Sequence, residues 1–174
     1  MPITPFHLIA GSSLKILMPR YFSWSTFAIT NIIIDLEPIL FFLVTLYPSH
    51  MFFHTLIGSS IIAILVSIFL TKPTEILLSL WNDELSRRES NWFSVNPNIG
   101  VIPALIGALL GAWTHIFMDA LMHSDVDIFY PFNYSIINVI SDNKIGDYHS
   151  ILSLIGIFSV LVIIFYNRYF NKIK

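Results

Sequence analysis

His115, Asp119 and His123 recur at four-residue spacing. On a helix they form one stripe, because positions i and i+4 share a face. Imidazole and carboxylate are the donors that suit zinc and similar divalent ions. His50 and His54 repeat the spacing, and they share a face if the third apolar segment starts early. Asp35 and Glu37 lie inside an apolar run, just ahead of Pro38. Two residues apart, they would not share a face of a regular helix, but a proline removes a backbone donor and can distort the turn enough to present both. A carboxylate inside an apolar helix is costly on insertion and is by default a functional candidate, which singles out Asp35 and Asp119. Blander readings stay open for the others. His50 or His149 alone suits an interfacial histidine with a water partner, Asp119 and His123 suit a local pair, and His7 suits a backbone hydrogen bond.

These residues need elements to hold them, and the chain supplies five apolar stretches. Pro5 to Met18 is short for a crossing, which takes about 20 residues, and suits a tilted or half-inserted helix. Phe22 to Tyr47 is long enough and contains Asp35, Glu37 and Pro38. The others run from about His50 to Thr71, Ile99 to Met122 and Ser150 to Phe170. Within Lys72 to Asn98, the run EILLSLWNDELSRRES has apolar residues at helical spacing and mixed charge, which predicts an interfacial amphipathic helix. Gly107 and Gly111 have the small-xxx-small spacing of close helix packing. The expected fold is all-α: one domain over residues 1–174, a polytopic membrane bundle of four or five segments with one interfacial helix.

Composition agrees. The chain is 55% hydrophobic and 11% charged, against about a quarter charged for a soluble domain. A net charge of −2 gives no basic face for nucleic acid. The absence of cysteine excludes disulfides, thiolate metal sites and a cysteine nucleophile. No basic residue precedes the first apolar run, so the N-terminus reads as part of the mature fold rather than as a secretory signal. An alternating path through the segments places every Lys and Arg except Lys144 on one face, which the positive-inside rule makes cytoplasmic. His7, His50, His54, His115, His123 and His149 then fall at or near the opposite, outer ends. Charges and histidines are different residues, and they yield the same map. Zincin, nucleophile-elbow and phosphate-loop motifs are absent.

In order, the motifs PFHL, IIIDLEP, HMFFHT and HIFMD resemble those of membrane-bound metal-dependent hydrolases of the bacterial inner membrane, many of them known only as a domain of unknown function. The resemblance covers nearly the whole chain. The bare order (His, Asp, His, HxxxD) is also similar to that of zinc-dependent bacterial phospholipase C and the single-strand-specific zinc nucleases, all-helical enzymes that cleave phosphoesters with three zinc ions. Those enzymes also use a late HxxxE pair that this chain lacks, so the expectation is one or two ions, zinc first. His7, Asp35, His54, His115 and Asp119 are the preferred ligands. Glu37, His50 and His123 are second choices, either for a second ion or for a hydrogen bond to a ligand. The resemblance implies a water activated by the metal at neutral pH, with Glu37, Asp125 or Asp127 as general base or water-orienting group. The implied substrate is a phosphoester, such as a lipid head group, whose acyl chain would meet Phe52, Phe53, Phe129 and Tyr130. A metal-ion transporter or sensor, or a structural membrane protein stapled by a metal, are the alternatives. The implied location is the bacterial inner membrane, with the C-terminus cytoplasmic and the site toward the outer side.

Overall fold

A row of small residues decides how the bundle closes. Ala104, Gly107, Ala108, Gly111 and Ala112 follow one another at three- and four-residue spacing along a single helix, so its surface carries a shallow groove into which another backbone can sink. The computed structural model describes residues 5–45, 51–88, 93–123 and 125–132 and parts of 150–165. It is 80% helical, with no strand among the described residues, which fixes the all-α class. Helices α1 (Pro5–Leu17), α2 (Trp24–Thr45), α3 (Leu56–Leu65), α4 (Thr71–Arg87) and α5 (Val101–Met122) follow in chain order.

The groove on α5 takes α2. A side chain at Gly107 would collide with the Ser23 carbonyl and the Thr26 hydroxyl, and one at Gly111 would reach within 2.8 Å of the Phe27 carbonyl. The Thr26 hydroxyl donates to the Ala104 carbonyl at 3.0 Å, and the Ser23 N–H donates to the Pro103 carbonyl at 3.1 Å. Positions 23 and 26 therefore meet 103–107, and 27 meets 111, so α2 and α5 run parallel in close contact. α1 lies along them in the opposite sense. Its C-terminal Lys15 donates to the Phe22 carbonyl at 2.8 Å, the Phe27 ring fills the space above Gly11, and the ring of His7 lies 4.4 Å from that of His115. Ala63 and Val66 close the core from the third side, packed with Ile34, Ala108 and Ala112.

α3 and α4 are not separate pieces. The predicted interfacial helix continues the third apolar segment through one wide π turn at Val66–Leu70, giving an unbroken helical run Leu56–Arg87 of 32 residues. The reason is local. Pro73 has no N–H, and its ring would press on the carbonyl four residues back; the wider turn just before it takes up the misfit, as single π turns do.

Three helices are long and apolar enough to cross a membrane: Trp24–Thr45, Leu56–Arg87 and Val101–Leu121. The expected count of four or five is thus reduced to three among the described residues. The first stretch forms the 13-residue α1, about 20 Å long and too short to cross alone. The fifth stretch lies largely outside the described residues.

Candidate metal centre

Four side chains from three parts of the chain converge at one end of this bundle. Asp35, His54, His115 and Asp119 are all buried, and one donor atom from each lies within 4.8 Å of the other three. His115 and Asp119 come from successive turns of α5, as their spacing predicts. Asp35 comes from α2 and is set opposite His115 by the parallel α2–α5 contact.

His54 arrives on a short 3-10 turn, Phe52–His54, directly before α3. Thr55 caps that helix: its hydroxyl accepts from the Gly58 N–H at 3.0 Å and donates to the Phe52 carbonyl at 2.8 Å. Side-chain oxygens at an N-cap satisfy a backbone donor that the helix cannot. A β-carbon at Gly58 would collide with the Phe52 carbonyl, so the turn closes only over a glycine. Glu37 ties the turn to α2. Its carboxylate accepts from the Met51 N–H at 3.0 Å, from the Phe53 N–H at 2.9 Å and from His54 Nδ1 at 2.9 Å.

The two histidines are thus held from behind. His54 Nδ1 faces Glu37, and His115 Nδ1 lies 3.0 Å from Asn31 Oδ1. Each ring therefore turns Nε2 toward the aspartates. His115 Nε2 lies 3.2 Å from Asp119 Oδ2 and 3.4 Å from Asp35 Oδ1, and His54 Nε2 lies 3.5 Å from Asp119 Oδ2. A good N–H···O hydrogen bond is shorter, about 2.9 Å, and among the described residues the buried His115 Nε2 has no hydrogen-bond partner. Bonds of about 2.0–2.2 Å to a tetrahedral zinc place neighbouring ligands about 3.3–3.6 Å apart. These three spacings suit donors that share a point between them, and all pairs of the four lie within 4.8 Å. Charge fits as well. Two carboxylates, two neutral imidazoles and one divalent cation sum to zero, which suits a buried site where net charge is costly. Burial disfavours a proton on His54, but Asp119 and Glu37 outweigh it and hold that imidazole's pKa above its ordinary 6.5.

His7 adjoins this group. Its Nε2 lies 3.3 Å from Asp119 Oδ1, so Asp119 turns one oxygen to His7 and the other to His54 and His115. His7 Nδ1 is buried and has no hydrogen-bond partner among the described residues. Other expected residues stand elsewhere. Glu37 contacts His54 and is not one of the converging four. Asp35 and Glu37 do not converge on one point: Asp35 meets α5 and Glu37 meets the 51–54 turn. His123 caps α5, its N–H donating to the Asp119 carbonyl at 2.7 Å. Asp125 and Asp127 are exposed, while Val126 and Ile128 between and after them pack on Ile116 and Ala120. His50 and His149 lie outside the described residues. Asn31 and Thr55 are additions to the sequence reading. The HT pair at 54–55 ahead of an apolar run was a capping signal, whereas nothing local marks Asn31, whose partner is 84 residues away.

No curated protein and no solved structure matches the chain. A family model matches residues 1–172, nearly the whole chain and every residue of the converging group. The chain belongs to that family, described as a domain of unknown function, DUF4184.

Proposed function

We propose that this chain is a membrane-bound, metal-dependent hydrolase that uses one or two divalent ions, zinc by the character of the donors, to cleave a phosphoester, in particular that of a lipid head group. The observation that carries the reading is the buried convergence of Asp35, His54, His115 and Asp119, with each imidazole held from behind by a fixed acceptor. A divalent ion held there would polarise a phosphoryl oxygen and bring the pKa of a water down to about 7. The chain's own residues do the rest. Asp35, Asp119, His54 and His115 offer the donors, and Glu37 and Asn31 keep the rings from turning away. His7 stands beside Asp119, at hand for a second ion. Asp125 and Asp127 are exposed on the segment that the Ile128 carbonyl ties to the Leu56 N–H at 2.8 Å, and we assign them the role of orienting a water or a head group. His115 is seven residues from the end of α5, about 10 Å along the axis, which supports a site reached from the head-group region. We place the site toward the outer side of a bacterial inner membrane, with the C-terminus cytoplasmic, because Lys15, Arg20, Lys72, Arg87 and Arg88 follow the positive-inside pattern.

Metal analysis of the purified protein is the first test. Asp35→Ala and His115→Ala should each empty the site, and full metal content in both variants ends the proposal. Hydrolysis of phosphodiester and phospholipid substrates, with and without chelator, is the second. Metal without chelator-sensitive turnover would turn the reading toward an ion carrier or a structural staple.

A further inference from the structure

We infer that Asn31 is a positioning residue for the metal centre: its amide fixes the His115 ring with a proton on Nδ1 and the Nε2 lone pair on the shared point, and Gly111 provides the clearance that this amide needs. The inference rests on the metal reading above for its purpose, but not for its geometry.

The orientation of Asn31 is decided by its surroundings. Its Nδ2 donates to the Phe27 carbonyl at 2.8 Å. A carbonyl can only accept, so the NH₂ group must face it, and the amide oxygen must face His115. At 3.0 Å from that oxygen, Nδ1 must be the donor. The second nitrogen, Nε2, then points between Asp35 and Asp119. One backbone carbonyl on α2 thus sets, through two hydrogen bonds, which nitrogen of a residue on α5 is offered as a ligand.

The choice of amide is also chemical. His54 has an anionic partner, Glu37. A carboxylate in place of Asn31 would put a third negative charge beside Asp35 and Asp119 and press an oxygen against the Phe27 carbonyl. A neutral amide orients the ring without that charge. Gly111 completes the arrangement. A β-carbon there would stand 2.8 Å from the Phe27 carbonyl oxygen and 3.1 Å from Asn31 Nδ2, inside the space that the amide occupies. The glycine of the small-residue row nearest the site therefore serves the ligand as well as the helix contact.

The test uses the full-length protein in detergent, ¹⁵N-labelled at histidine, with zinc as the probe. In the metal-free wild type, His115 should show a slowly exchanging Nδ1–H. Asn31→Leu, similar in size and without an acceptor, should lose that signal and bind zinc about 10–100-fold more weakly, as when other partners of metal-bound histidines are removed. Gly111→Ala should weaken the same signal, although residue 111 has no side chain to offer as a ligand. Thr30→Val is the packing control. Among the described residues its hydroxyl donates to the Thr26 carbonyl, at 2.9 Å, and its removal should leave both the signal and zinc binding unchanged. An unprotonated Nδ1 in the wild type, unchanged zinc affinity in Asn31→Leu, or an equal loss in Thr30→Val would each overturn the assignment. If the wild type binds no zinc but shows an Asn31-dependent Nδ1–H, the ring lock stands and the metal reading fails.

Discussion

Replacing Glu37 by glutamine changes one atom and should weaken metal binding by about 10–100-fold, or about 1.4–2.8 kcal/mol. The arithmetic starts from the carboxylate's three partners. Oε2 accepts from the Met51 N–H and from His54 Nδ1, and Oε1 accepts from the Phe53 N–H. A glutamine amide has one oxygen. If that oxygen replaces Oε2, the new NH₂ faces the Phe53 N–H, donor against donor. If it replaces Oε1, the NH₂ faces both Met51 and His54. Either way at least one hydrogen bond to a charged acceptor is lost, about 1.5–3 kcal/mol each, and the remaining ones lose their charge assistance. Part of that loss falls on the turn and part on the orientation of His54, so the two magnitudes are compatible. The lower end is expected, because the carboxylate is 11% exposed and water can serve the Met51 N–H. Competition against a chromophoric zinc chelator in detergent reads the affinity, and helical circular dichroism checks the fold. A Glu37→Gln protein that keeps its helices and binds zinc within twofold of the wild type would refute the idea that this carboxylate holds His54 in place.

Thr55→Ala removes the cap of α3 and should cost about 1 kcal/mol of stability, read as a lower unfolding temperature, with a smaller loss of zinc affinity because the neighbouring His54 turn loosens. Gly107→Ala forces a β-carbon onto the Ser23 carbonyl, which is backbone and cannot rotate away. The helices must separate, at about 1–3 kcal/mol, and unfolding should shift while the ligand set is untouched. Metal affinity should fall with pH. The raised His54 pKa means that the metal-free fold is stabilised by that proton below the ordinary value and loses this as pH rises through the folded one. The ion must displace the proton, so binding weakens from above pH 6.5 downward, by about tenfold per unit for each proton displaced. An affinity flat from pH 8 to 5.5 would contradict it.

The converging ligands were legible because each is expensive where it stands. Asp35 and Asp119 inside apolar helices needed a partner, and the four-residue spacing of His115 and Asp119 put both on one face. The α2–α5 contact was half legible, in Gly107 and Gly111, but which helix filled the groove was not written locally. Glu37 shows the limit most clearly. Its chemistry marked it as important, yet whether it holds an ion, moves a proton or orients a ligand depends on where residues 51–54 return, 14 or more positions later. Asn31 was invisible for the same reason: one amide in a helix carries no sign of its partner. The amphipathic pattern of 75–90 does lie in a helix as far as Arg87, but periodicity measures the faces of a helix and not where it begins. The step from Thr71 to Lys72, which lies inside one continuous helical run, was therefore read as a boundary.

The position of His54 has one more consequence. The residue sits two positions before a rod of 32 residues, about 48 Å from end to end. An ion held by the four donors would tie the foot of that rod more tightly to α2 and α5 than the Glu37 and Ile128 contacts do alone. A rotation of about 5° there would carry the far end about 4 Å, so filled and empty states would be distinguishable at Arg87 and Arg88, at the other end of the rod from the candidate site.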